Sequence, residues 1–187
     1  MFVDNIRIFA RAGKGGNGLV SFRRAKFVPK GGPDGGDGGD GGSVILEVDP
    51  HTNDLRSFFY DPKLIATDGV GGQSAKKHGK NGKSVIGKVP PGTIIYRSNA
   101  SSMAEATWLE REGEGIELEK IADLTEIGTR FTLCQGGLGG KGNWHFRSAT
   151  NQAPTEAEMG TEGEEGVFFM ELRRIADAGL VGYPNAG

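Results

Sequence analysis

Glycine recurs in this chain as pairs with a period of three. Gly35-Gly36-Asp37, Gly38-Gly39-Asp40 and Gly41-Gly42-Ser43 follow one another, and Gly136-Gly137-Leu138 and Gly139-Gly140-Lys141 repeat the pattern. A random glycine-rich coil needs no such phase. A polyproline-II-type helix has three residues per turn and no internal hydrogen bonds. With two glycines per turn, two of its three edges carry no side chain. Neighbouring helices of this kind can then approach until their backbones hydrogen-bond to one another. Residues 31–42, 69–82 and 136–142 are therefore expected to be ordered and mutually packed, with Asp37, Asp40 or Lys141 facing outward. Collagen is excluded, because no long tract keeps glycine at every third position alone.

Between the glycine runs lie clusters of aromatic and β-branched residues: Phe2-Val3, Val44-Ile45-Leu46, Phe58-Phe59-Tyr60, Ile94-Ile95-Tyr96 and Val167-Phe168-Phe169. A chain of 187 residues with those clusters can bury a core, although 33 residues are glycine and only 36% are hydrophobic. Strands are expected over 2–10, 19–22, 43–48, 55–60, 84–89, 93–97, 129–135 and 167–172. Residues 50–54 read as a turn-rich loop pairing the strands on either side of it, and Pro90-Pro91-Gly92 as another turn between strands. Residues 98–122 read as a polar, acidic insertion with a short helix at 103–111. Many short strands without long helical periods argue for an all-β sandwich or barrel.

The net charge of −2 gives no general affinity for nucleic acid, but the charges are segregated. Residues 11–30 contain Arg11, Lys14, Arg23, Arg24, Lys26 and Lys30 and no acid. Residues 69–88 contain Lys76, Lys77, Lys80, Lys83 and Lys88, again without an acid. The acids gather in 105–126 and at Glu156, Glu158, Glu162, Glu164 and Glu165. Such asymmetry points to one surface that meets something anionic. The single Cys134 rules out an internal disulfide framework and is compatible with a reducing cytosol. No apolar run approaches the length of a membrane span, and Met1-Phe2-Val3-Asp4 does not open a signal peptide, so a cytoplasmic protein is expected.

Several motifs fail on their context. Gly13, Gly15 and Gly18 match G-x-G-x-x-G, but strand-like Leu19-Val20-Ser21-Phe22 follows where a dinucleotide site needs a helix. Gly82-Lys83-Ser84 imitates the end of a P-loop, yet Lys77 occupies the position of its first glycine. Asp34, Asp37 and Asp40 resemble one calcium-binding repeat without tandem copies. His51, His78 and His145 are scattered along the chain, which gives a zinc site no support. No nucleophile–base pair stands in a recognisable context. The closing residues are different. Gly182-Tyr183-Pro184-Asn185-Ala186-Gly187 follows the apolar Leu180-Val181 and fits the opening of the phosphate-binding pattern G-x-x-x-x-G-K-[ST], without the lysine and hydroxyl residue that complete it.

Taken together, these segments resemble the Obg family of GTPases. The likeness is carried by Ala12-Gly13-Lys14-Gly15-Gly16-Asn17-Gly18, by 21–29 (Ser21-Phe22-Arg23-Arg24-Ala25-Lys26-Phe27-Val28-Pro29), by 31–39, by Val89-Pro90-Pro91-Gly92-Thr93, by 136–143, by 149–154 and by 176–187. It departs at Ala25, where an acid is common, and at Asp40, where an arginine is common. The 98–122 region is also longer than usual.

The resemblance implies an eight-stranded β base, residues 1–172, from which glycine-rich helices project at about 13–42, 69–83 and 136–147. Residues 173–187 would begin a G domain. It implies that the whole protein binds GTP and GDP with Mg²⁺ and slowly hydrolyses GTP to GDP and phosphate. Docking on the large ribosomal subunit and its 23S-type rRNA, a role in subunit assembly and a response to guanosine tetraphosphate follow from the same likeness, with stress-response regulators as further partners. On this reading the protein is a monomer without membrane contact. Gly182 to Gly187 form half of a GTP site, and these 187 residues lack the rest of the active site. The RNA contacts expected are Arg23, Arg24, Lys26, Lys30, Lys76, Lys77, Lys80, Lys83, Lys141 and Arg147, with Trp144 stacking on a base or else serving the core. A protein-interaction scaffold with no RNA contact is the competing function.

Overall fold

The computed structural model describes residues 3–24, 31–100, 102–112 and 117–173, the side chains of 108–112 excepted. Its regular elements are mostly strands. They run β1 (Asn5–Arg11), β2 (Val44–Val48), α1 (Arg56–Tyr60), β3 (Lys63–Ile65), β4 (Val85–Val89), β5 (Thr93–Ser98), α2 (Met103–Glu112), β6 (Leu118–Leu124), β7 (Arg130–Cys134) and β8 (Glu165–Leu172), with a short 3₁₀ turn at Asn143–Phe146. One sheet has the order β3-β1-β8-β5-β6 and the other β4-β2-β7. Both orders end in unpaired edges, so neither sheet closes into a barrel. Side chains alternate along each strand, as the pleat requires. Val44, Leu46 and Val48 of β2 are buried while Ile45 and Glu47 are not. The inward set from both sheets forms one apolar cluster around Ile8, Leu46, Val89, Ile95, Phe168 and Met170. Burying that shared core is what fixes the base.

Six strands run directly into glycine-rich segments: β1 into 12–19, β3 into 66–73 and β7 into 135–143, while 34–42 leads into β2, 76–83 into β4 and 158–164 into β8. All six therefore leave the same end of the base. They are bonded to each other at every third residue. The N–H groups of Gly13, Gly16 and Leu19 donate to the carbonyls of Gly42, Gly39 and Gly36. Those of Gly36, Gly39 and Gly42 donate to Gln73, Val70 and Thr67, and those of Gly137, Gly140 and Asn143 to Gly13, Gly16 and Leu19. Lys76, Gly79 and Gly82 donate to Asp34, Asp37 and Asp40; Glu158, Thr161 and Glu164 donate to Lys141, Leu138 and Gln135. The bundle thus has three levels of crosslinks above the base, each made of backbone.

Glycine is required for this spacing. A Cβ on Gly38 would fall on the carbonyl of Gly16, one on Gly39 on that of Lys80, and one on Gly139 on that of Gly38. The neighbour in each case is backbone, which cannot rotate out of the way.

Several expectations are corrected. Residues 55–60 are not a strand pairing with 43–48 but lead into the helix α1. Phe58 is buried while Phe59 and Tyr60 are exposed, and the Asp54 carboxylate accepts the Arg56 N–H at 3.1 Å to start the turn. The 98–122 stretch is not merely an insertion, for it runs into the edge strand β6. Pro90-Pro91-Gly92 is the expected turn between strands, and the strands it joins, β4 and β5, belong to different sheets. Leu19–Phe22 belongs to the bundle and makes only an isolated bridge from Phe22 to Pro33. The 69–83 stretch is two antiparallel segments. The turn between them places Ala75 and Lys76 at φ of 61° and 57°, a left-handed conformation that costs an L-residue roughly 1–2 kcal/mol. Asp34 offsets that cost: its Oδ2 accepts the Ala75 N–H at 3.2 Å and its carbonyl the Lys76 N–H at 2.7 Å.

Candidate functional site

The chemistry-bearing side chains concentrate at the end of the bundle farthest from the sheets. The third residue of each glycine triplet prepares that end. Asp37, Asp40 and Ser43 do not face outward unpartnered. Their side-chain oxygens accept the N–H groups of Gly142, Gly139 and Gly136 at 2.7, 2.8 and 3.0 Å, a ladder with the same period of three. Asn143 then closes the top level. It is wholly buried, its Oδ1 accepts the Gly35 N–H at 2.9 Å, and its Nδ2 donates to Ser21 O and Pro154 O, each at 3.0 Å. One side chain so ties together two of the connections that cross the far end, 19–35 and 143–158.

Around this clasp the two histidines and the tryptophan gather. Asp37 Oδ2 lies 2.8 Å from His145 Nε2 and 3.4 Å from His78 Nδ1. Burial alone would raise the Asp37 carboxyl, but the Gly142 N–H and the His145 ring outweigh it and hold the group below the usual 3.8. The Trp144 ring is 3.8 Å from that of His145, at 36° between planes, and Lys76 Nζ stands 4.9 Å from the Trp144 ring. Residues read in the sequence as scattered histidines are thus brought onto one carboxylate. The triplet position of Asp37 was the one available sign of it.

The expected RNA contacts are partly gathered. Arg23 and Arg24 lie beyond the top level, where the Arg23 N–H bonds Gly32 O at 3.0 Å, and an Arg147 nitrogen comes within 4.0 Å of the Cβ position of Gly32. Lys76 and Lys77 belong to the same end. Lys80 and Lys83 descend the outer 76–83 segment toward the base, and Lys141 lies opposite on another segment beside Glu158. Trp144 is half-buried against His145 and Lys76, neither a free platform nor a core residue. Lys26 and Lys30, and Gly182, Tyr183, Pro184, Asn185, Ala186 and Gly187, lie outside the described residues.

The Lys and Arg pairs with carboxylates are concentrated on the base. Lys88 pairs with Asp49 at 2.8 Å, Arg56 with Asp54 at 3.1 Å, Arg130 with Glu47 at 2.8 Å and Lys120 with Asp123 at 2.8 Å, all on the base. Lys14 pairs with Glu162 at 2.5 Å where bundle and base join. Among the described residues no carboxylate pairs with Arg23, Arg24, Lys76, Lys77, Lys80, Lys83 or Arg147.

Comparison with known proteins decides the family. Residues 3–174 match the family described as GTP1/OBG. The chain belongs to the GTP1/OBG family. A GTPase Obg of Methylacidiphilum infernorum is 49% identical over 189 residues, taking in 100% of this chain and 52% of that protein. The GTPase Obg of Nautilia profundicola is 49% identical over 187 residues, 48% of its length, and that of Clostridioides difficile 47% identical over 187 residues, 40% of its length. This Obg-family chain therefore spans about half the length, or less, of the curated relatives it matches. Among its described residues no helix is long and apolar enough to cross a membrane.

Proposed function

We propose that this chain is the docking module of an Obg-type GTPase, and that the far end of its bundle enters an RNA-lined space on the large ribosomal subunit during assembly. The six segments act as polyproline-II-type helices on a β-sandwich base, since bonds at every third residue are what three residues per turn produce. The observation that carries the reading is the row of exposed cations without a carboxylate partner at the far end and along 76–83, where Arg56, Lys88, Lys120 and Arg130 of the base are each paired. Lys and Arg so placed meet phosphates, which position a protein on RNA without reading its sequence. Residues 1–172 form this module and 173–187 open the G domain, in which Gly182 to Gly187 would cradle phosphates. The whole protein, cytoplasmic and monomeric, would bind GTP and GDP with Mg²⁺ and hydrolyse GTP, and guanosine tetraphosphate and stress regulators would act on it there. The 187 residues alone are expected to do neither.

Sedimentation with isolated large subunits over a series of salt concentrations tests the docking. Each single-strand phosphate contact contributes about −0.7 to the slope of log K against log salt. Changing Lys76, Lys77 and Lys80 to Ala should weaken binding and flatten that slope by about 2. Binding that ignores both salt and these changes would favour the protein-interaction scaffold.

A further inference from the structure

We propose that Asp37, His78 and His145 form a proton-responsive latch that sets the charge of the bundle's far end and thereby its hold on RNA; the RNA half of this rests on the docking reading above. The three residues come from three different segments and meet at one atom. Asp37 Oδ2 stands 2.8 Å from His145 Nε2 and 3.4 Å from His78 Nδ1, while Oδ1 takes the Gly142 N–H at 2.7 Å. A carboxylate oxygen has lone pairs for both rings. The neutral His145 ring makes its contact through Nε2–H, while His78 stands at ion-pair distance; the second nitrogen of His145 is left to receive a proton from solvent. Protonation therefore breaks neither contact. It turns each one into an ion pair with the carboxylate, hence stronger, and adds a positive charge.

Among the described residues, the other charged groups near this point include Lys77, next to His78, and Glu158, next to Lys141. Lys76 reaches it through the Trp144 ring, Lys141 lies beside Gly142, and Asp34 stands one repeat earlier with its carboxylate tied to the 75–76 turn. Imidazole is the side chain whose charge changes between about pH 5 and 8. Phosphates at the far end stabilise both charged rings, so docking takes up protons and affinity rises as pH falls. The Trp144 ring against His145 adds a cation–π attraction in the charged state.

The test has two arms. In the first, affinity for isolated large subunits is measured between about pH 8 and pH 6 for the unaltered chain and for His78→Gln with His145→Gln. Glutamine keeps a donor for Asp37 and cannot titrate. The unaltered chain should tighten about tenfold or more, and the double variant should match it at the high-pH end and change little below. In the second arm, the midpoints of the two imidazoles are followed by NMR in the free chain. Asp37→Asn should lower both. If that variant does not fold, His78→Gln alone should raise the midpoint of His145, because the like charge of the second ring is removed from beside Oδ2.

Salt-dependent docking with the same pH profile in chain and double variant overturns the latch and leaves docking standing. Docking absent, or indifferent to salt, at every pH overturns the docking reading and the RNA half with it. Imidazole midpoints that ignore both Asp37→Asn and His78→Gln overturn the latch with no ribosome in the tube.

Discussion

Two adjacent glycines, Gly71 and Gly72, give the bundle geometry a test in which composition and helix propensity are held equal. A Cβ on Gly72 would fall on the carbonyl oxygen of Gly36, 2.6 Å from its carbon and 2.9 Å from Asp37 O. One on Gly71 would meet only Asn17 O, at an ordinary 3.4 Å. Carbon atoms sit comfortably at about 3.5–4.0 Å, so Gly72→Ala must push the neighbouring segments about 1 Å apart. The bonds at that level are Gly72 N–H to Asn17 O and Gly36 N–H to Gln73 O, each 2.8 Å. Stranding a buried polar group costs about 1–3 kcal/mol, so losing both bonds costs about 2–6 kcal/mol. For a domain of this size that is a fall in Tm of roughly 5–20 °C. Gly71→Ala should be neutral or stabilising by about 0.4–1 kcal/mol, through a less flexible unfolded chain. Urea and thermal unfolding of the two variants decide it. Equal losses, or a harmless Gly72→Ala, would refute the close packing.

Asn143→Ala strands the Gly35 N–H and the Pro154 carbonyl, while Ser21 O keeps the Asp34 N–H; a loss of about 2–4 kcal/mol in urea unfolding is expected. Cys134 is buried and its thiol is pushed up to about 12, so a disulfide reagent at mildly alkaline pH should label it only after unfolding. Asp37 is held below the usual 3.8, first against burial, by the Gly142 N–H and His145. A carboxyl depressed in the folded state contributes its full stability above 3.8 and loses it as pH falls through the lower folded value. Acid unfolding followed by circular dichroism should show this loss in that window, and Asp37→Asn should remove it.

The sequence disclosed those features of the fold that repeat. Gly35 to Gly42 and Gly136 to Gly140 have a period that only backbone-to-backbone packing uses, and the bonds fall at that period. The sixth segment is hard to read in the sequence although Gly160, Gly163 and Gly166 have the same spacing, because the residues between them are polar and acidic. Phe58-Phe59-Tyr60 looked like a strand because aromatic runs suit strands and helices alike in so short a stretch. β6 was hidden because an edge strand with solvent on one side can carry Glu119, Lys120 and Asp123. The candidate site was legible in its cations and not in its order. Lys76 and Lys77 declare themselves by charge, but nothing local in the chain places His78 and His145 on Asp37. That juxtaposition depends on three segments meeting at the top level of the bundle.

The central claim is that the far end of the bundle, and not the opposite end of the base, meets ribosomal RNA. Ile127 is exposed in the β6–β7 loop at that opposite end, while Arg147 is exposed at the far one. A photo-crosslinker at position 147 or at position 127, activated on the protein bound to large subunits, compares the two directly. Crosslinks to rRNA from position 147 and none from 127 are predicted; rRNA crosslinks from 127 alone, or crosslinks from 147 to protein only, would contradict the account.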